Sequence, residues 1–127
     1  LNPPLIDTSI LVDVLRQKLE AESFIRATAG IGLYTHDTVI GELLTGIRNA
    51  KELRALDGLL VPFQILHLSE ADSELSLELL RCYKLSHNIG YLDCLIAATA
   101  LRLNFPVATI NDKHFRPIPN LQIIRPY

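Results

Sequence analysis

Four acidic or amide positions spread along the chain lie in stretches too apolar for an unpaired carboxylate to be an ordinary surface feature. They are Asp7 after Pro-Leu-Ile, Glu42 in Gly-Glu-Leu-Leu, Asp93 in Tyr-Leu-Asp-Cys-Leu-Ile-Ala-Ala, and Asn111-Asp112 after Val-Ala-Thr-Ile. Two carboxylates about 4 Å apart at an effective dielectric near 20 repel by roughly 4 kcal/mol, so a cluster of them needs protons or a cation. A divalent metal is the simplest such cation. Zinc chemistry has no comparable signal: His36, His67, His87 and His114 fall in separate segments, and Cys82 and Cys94 lack Cys-x-x-Cys spacing.

The elements that would position these residues follow from apolar period and capping. Leu5 and Ile6 form a buried strand ending at Asp7, and Thr8 or Ser9 caps a helix carrying Ile10, Leu11, Val14 and Leu15. A second helix runs over 20–29 to Gly30, and a short strand covers 31–35. Asp37 or Thr38 caps the next helix, whose stripe Val39, Leu43, Ile47 places Glu42 beside the core. Leu53, Leu56 and Leu60 mark a helix over 51–60, which Pro62 ends before a strand over 64–68. Ser69 with Asp72 forms a capping box opening a helix with Leu75, Leu79 and Cys82 on one face, broken at His87, Asn88 and Gly90. Asp93 sits in the first turn of an Ala-rich helix over 92–103. A strand over 106–110, a turn or short helix over 111–115 and a last strand over 121–124 complete the chain.

Strands thus alternate with helices, are apolar on both sides, and carry no Asn-Gly hairpin signal. The pattern predicts an α/β domain with a parallel sheet covered on both faces. In such sheets ligands bind beyond the carboxyl ends of the strands, where Asp7 and Asn111-Asp112 would project.

Bulk composition bounds the reading. The 127 residues, 49% hydrophobic and 20% charged, suit one compact domain with a real core. Twelve Lys and Arg against 14 Asp and Glu leave a net charge of -2, so no global basic field attracts nucleic acid, and any such site is a local patch or uses a bound cation. No apolar run approaches the roughly 20 residues of a membrane span, and the start lacks the basic and apolar regions of a signal peptide. Both cysteines are expected as reduced core thiols, and the cytoplasm as the compartment.

Four blocks, in this order and spacing, resemble the signature blocks of the PIN-domain nucleases, most closely the VapC-like toxins of prokaryotic toxin–antitoxin pairs. They are Ile-Asp-Thr-Ser-Ile-Leu-Val at 6–12, Gly-Glu-Leu-Leu-Thr-Gly at 41–46, Leu-Asp-Cys-Leu-Ile-Ala-Ala-Thr-Ala at 92–100, and Ala-Thr-Ile-Asn-Asp-Lys-His-Phe at 108–115. The resemblance implies a single PIN-like three-layer α/β/α domain over 1–127 with a central, mainly parallel sheet. It also implies a metal-dependent endoribonuclease, held by a cognate antitoxin and working as a homodimer. By it, Asp7 and Asp93 are the principal Mg²⁺ or Mn²⁺ ligands, Glu42 completes the pocket, Thr109 hydrogen-bonds the pocket carboxylates, and His114 supports packing. The fourth block departs from an all-acidic pattern. Asn111 stands where Asp is frequent, which lowers the charge available to a second ion and leaves open whether Asn111 or Asp112 faces the pocket.

Oxygen-only ligands suit a hard ion such as Mg²⁺, which keeps several waters and takes one or two carboxylates plus substrate phosphate oxygens. Such an ion activates a coordinated water and neutralises charge at a phosphodiester, with Glu42 or Asp112 as general base. The bland readings stand beside these: Asp7 as a helix cap, Asp93 as a charge favouring its helix dipole, Glu42 as a solvent-facing helix residue, and Arg48, Lys51 and Arg54 as a solvated face rather than a phosphate contact. Two other functions fit the pattern less well. A PIN fold that binds RNA or a partner without catalysis is motivated by Asn111. A phosphoacceptor signalling domain requires paired acids after the first strand, where Asp7 is followed by Thr8.

Overall fold

A computed structural model of the chain describes residues 2–127. Its centre is a five-stranded parallel sheet of order β3-β2-β1-β4-β5, built from β1 (Leu5–Ile6), β2 (Tyr34–His36), β3 (Gln64–Leu66), β4 (Val107–Ala108) and β5 (Ile123–Ile124). Leu5 and Ile6 are fully buried because β1 lies in the middle of the sheet under helices on both faces. Leu5 pairs with Tyr34 on one side and Val107 on the other.

The strand order fixes the layers. From β1 to β2 to β3 the chain steps one way, through α1 (Thr8–Leu15), α2 (Leu19–Thr28), α3 (Asp37–Thr45) and α4 (Ala50–Leu60). It then returns through α5 (Glu70–His87) and α6 (Tyr91–Leu103) to β4 on the far side of β1. Right-handed crossovers place the first set of helices on one face and the second on the other. The packing agrees: α1 meets α2, α3 and α4, while α5 lies along α6. Ala97, Ala98 and Ala100, all fully buried, let α6 approach both the sheet and α5. The reversal of direction beside β1 makes the β1/β4 boundary the switch point of the sheet.

Local details differ from the sequence expectations for identifiable reasons. Asp7 itself is the N-cap of α1, with an extended backbone and no side-chain capping bond. His36 rather than Asp37 or Thr38 caps α3, its Nδ1 accepting the Thr38 N–H at 3.1 Å. β2 starts at Tyr34, because residues 29–31 form a turn followed by Gly32, whose φ is +129°. A Cβ there would lie 2.9 Å from the Tyr34 ring, so glycine is required twice over. The Ser69–Asp72 capping box forms as expected. The buried face of α5, however, runs through Asp72, Ser76 and Leu79, which leaves Cys82 exposed rather than in the core. Asn88 and Asn104, both left-handed, end α5 and α6.

Candidate active site

The first acidic residue is fixed by the sheet itself. The Asp7 N–H donates to the Ala108 carbonyl at 3.0 Å, so β1 and β4 run side by side into the switch point. There the Thr109 hydroxyl donates to Asp7 Oδ2 at 2.8 Å, and the Ser9 hydroxyl approaches the same oxygen at 3.2 Å. Ser9 also lies 3.2 Å from Thr109 Oγ1 and accepts the Ile110 N–H, while Thr109 accepts the Asn111 N–H at 2.9 Å. These bonds bind the start of α1 to the loop after β4. Oδ2 takes both hydroxyls, and the carboxylate borders a cavity of about 610 Å³, within the range of small-ligand sites.

The cavity collects side chains from remote parts of the chain: Asp7 and Asp13, Glu42, Asp93, and Asn111 with His114. Asp93 arrives in the first turn of α6, where its charge also favours the helix dipole. Burial pushes its carboxyl up to about 6, and the negative charges of Asp7 and Glu42 push the same way; His114, with Nδ1 3.3 Å from Asp93 Oδ2, opposes them. Glu42 is exposed on the rim rather than beside the core, with Oε1 accepting the Thr8 hydroxyl at 3.1 Å. Its expected place is corrected by helical geometry: one residue before buried Leu43 lies about 100° around the helix, off the apolar stripe.

Asn111 borders the cavity and Asp112 does not. Asp112 turns into the protein, where Oδ2 meets Arg116 and Oδ1 meets Arg125 Nη1 at 3.0 Å. The Arg116 guanidinium, with help from Arg125, holds its carboxyl below the usual range. The expected general base thus stands outside the cavity lining, with both carboxylate oxygens engaged by arginines. Cys94, beside Asp93 in the chain, is buried with its thiol pushed up to about 11, which leaves it an inert packing group.

Sequence reasoning missed three members of the site. Ser9 was read as a cap alone, although its spacing two residues after Asp7 places its hydroxyl on that carboxylate. Thr8 is the partner of Glu42. His114 borders the cavity and pairs with Asp93 rather than serving packing alone. Its position one residue before the buried Phe115 carried no direct signal of this.

Among the described residues no three His, Cys, Asp or Glu side chains converge into a ready-made metal cage. The donors present nevertheless fit a hard divalent ion, which binds through one or two carboxylates and completes its shell with water and phosphate oxygen. Burial and the neighbouring charges of Asp7 and Glu42, partly offset by His114, disfavour a bare carboxylate at Asp93, and a bound cation would relieve that cost.

Fold and site together describe an α/β protein with a cation-seeking acidic pocket at the switch point of its sheet. A profile described as the PIN domain matches residues 5–121, and the chain belongs to the PIN-domain family. Similar curated proteins include Ribonuclease VapC19 of Mycobacterium tuberculosis, 35% identical over 93% of this chain and 96% of that protein. Ribonuclease VapC of Rickettsia bellii is 29% identical over 94% and 93%. A toxin–antitoxin complex from Klebsiella pneumoniae contains a chain that superposes with a TM-score of 0.78 at 25% identity, covering 98% of each chain.

Proposed function

We propose that this PIN-domain protein is a metal-dependent endoribonuclease that hydrolyses RNA phosphodiester bonds as the toxin of a toxin–antitoxin pair. One observation carries the reading: Asp7, Glu42 and Asp93, separated by long stretches of sequence, border one cavity at the β1/β4 switch point. The relatives named ribonucleases support RNA as the substrate.

Asp7 and Asp93 would hold Mg²⁺ or Mn²⁺, with Glu42 completing the pocket directly or through water. When bound, the ion supplies charge neutralisation at the scissile phosphate and lowers the pKa of a coordinated water. The protein's part is orientation and proton handling. Ser9 and Thr109 fix Asp7 by its Oδ2, and Thr109 also holds the backbone that presents Asn111. His114 steadies Asp93, its Nδ1 lying 3.3 Å from Asp93 Oδ2. Where Glu42 holds the ion only through water, it would accept a proton from the attacking water as the water oxygen bonds to phosphorus and the bond to the leaving oxygen breaks, that oxygen taking a proton from solvent. The amide of Asn111 adds a hydrogen-bonding group without adding charge, which favours a single ion.

An antitoxin is the expected protein partner, supported by the structural likeness to the Klebsiella toxin–antitoxin complex. A second cavity of about 520 Å³ between α1, α3 and α4 is lined by apolar Val12, Leu15, Leu43 and Ile47 and runs into the acidic one through Thr8 and Glu42. A partner segment seated there would close the site. By the same family likeness the active form would be a homodimer in the cytoplasm.

The test is cleavage of a defined RNA panel with Mg²⁺ or Mn²⁺, with EDTA, and with Asp7→Asn. Cleavage that requires the metal and is lost in the variant supports the assignment. RNA that stays intact under all conditions while the protein binds it favours a PIN fold without catalysis.

A further inference from the structure

The acidic cavity poses an electrostatic problem that one divalent ion does not solve. Asp7, Asp13, Glu42 and Asp93 all border it, and a polyanion must approach them. Against these stand two basic side chains, His114, already beside Asp93, and Arg16. Arg16 is therefore the one Lys or Arg on the cavity wall, among the described residues.

Four arginines have carboxylate partners, and of the four without one, Arg16, Arg26, Arg54 and Arg81, Arg16 alone borders the cavities. Arg48 pairs with Glu52, Arg102 with Asp72, and Arg116 and Arg125 with Asp112. Among the described residues, no carboxylate lies within ion-pair distance of Arg16, which is exposed at the C-terminal end of α1. It borders both the acidic cavity and the adjoining groove, so it stands where one opens into the other. Its place at the negative end of the helix dipole favours a cation, but any cation there would satisfy the dipole. What the dipole does not explain is an arginine without a carboxylate partner that borders both cavities.

From Asp7 to Arg16 the helix rises by about 13 Å. Asp7 and Arg16 cap opposite ends of α1, a separation that leaves room for them to meet different phosphates of one strand. We propose that Arg16 is a substrate-positioning residue, which grips a phosphate of the RNA beside the scissile one and so threads the strand past the acidic cavity. This rests on the ribonuclease reading above. The planar fork of Arg pairs with a phosphate through two parallel hydrogen bonds, a geometry that Lys does not reproduce.

The test compares the parent chain with Arg16→Ala and Arg16→Lys in two arms. In the first, steady-state cleavage of a single-stranded RNA is measured with Mg²⁺ at several NaCl concentrations. Arg16→Ala is expected to raise KM by about tenfold, with kcat within about twofold of the parent. Arg16→Lys is expected to recover part of the loss. In the second, binding of the same RNA to Asp7→Asn protein, with and without Arg16→Ala, is followed by fluorescence anisotropy across the salt series. Loss of one phosphate contact flattens the plot of log affinity against log salt by about 0.7. An unchanged salt slope overturns the proposal whether or not KM moves. So does an Arg16→Ala protein that handles RNA as the parent does and fails instead to bind an antitoxin segment, which would assign Arg16 to the partner. If the parent binds RNA without cutting it, the ribonuclease reading falls, and the binding arm still decides whether Arg16 holds a phosphate.

Discussion

Thr109 donates its hydroxyl to Asp7 Oδ2 across 2.8 Å, joining the ends of two adjacent parallel strands at a point 102 residues apart in the chain. Thr109 is fully buried, and its oxygen also accepts the Asn111 N–H. Thr109→Val keeps the shape and removes both bonds. It is expected to destabilise the fold by about 1 kcal/mol, because the buried Asp7 carboxylate loses one of its two hydroxyl donors. With Asp7 held by Ser9 alone, the concentration of Mg²⁺ needed for half-maximal cleavage should rise about tenfold. Urea unfolding and a metal titration measure the two effects separately; unchanged metal dependence would show that Asp7 is positioned without Thr109.

Asp93 feels burial and the charges of Asp7 and Glu42 together, and these oppose its ionisation. Asp93→Asn removes a charge that the metal-free fold holds at a cost. Cleavage should fall at least about a hundredfold, while the melting temperature without metal stays at the parent value or rises. The added stability that Mg²⁺ gives the parent should shrink in the variant, since a ligand stabilises only what it binds. A melting scan with and without Mg²⁺ reads this directly. A variant that melts well below the parent in EDTA would mean that Asp93 is a structural capping charge.

The parallel α/β pattern and the strand-end position of Asp7 were legible because short, doubly apolar strands alternating with helices leave few other arrangements. The capping box at Ser69–Asp72 was legible for the same kind of reason, being a local bond with a fixed spacing. Less visible were features set by which way a side chain turns after the chain has folded. Asn111 and Asp112 are neighbours, and the single 3₁₀ turn at Asp112–His114 sends one to the cavity and the other to Arg125. Glu42 and Leu43 part in the same manner around α3. His36 looked like an isolated histidine, yet it is fully buried and its Nε2 lies 2.9 Å from Thr99 Oγ1. No periodicity announces a contact between β2 and α6.

The placement of Asp112 separates stability from catalysis. Its two oxygens connect the turn after β4, through Arg116, to the end of β5, through Arg125. Asp112→Asn should leave kcat within about twofold of the parent and lower the melting temperature. An RNA cleavage assay at saturating Mg²⁺ checks the first and thermal unfolding the second. A large loss of kcat with an unchanged melting temperature would return Asp112 to the catalytic group.

Acid tolerance turns on a different carboxylate. Asp72 is buried at the start of α5, and burial alone would raise its pKa. It is outweighed by hydrogen bonds from Arg102, the Ser69 N–H and the Thr99 hydroxyl, which hold the carboxyl down at about 2. The network continues to His36, whose own pKa is lowered chiefly by burial and whose Nε2 lies 2.9 Å from Thr99 Oγ1. Because the folded value of Asp72 lies below its unfolded value near 3.8, its contribution is fully present above that value and is lost as pH falls toward 2. The shift corresponds to about 2 kcal/mol. Asp72→Asn should therefore be less stable than the parent by about that amount at pH 7, and the gap should close as pH falls through the window from 4 to 2. Urea unfolding at pH 7 and at the acid end of that window gives the comparison. A gap that stays constant across it would mean that the bonds to Asp72 stabilise through shape and not through its charge.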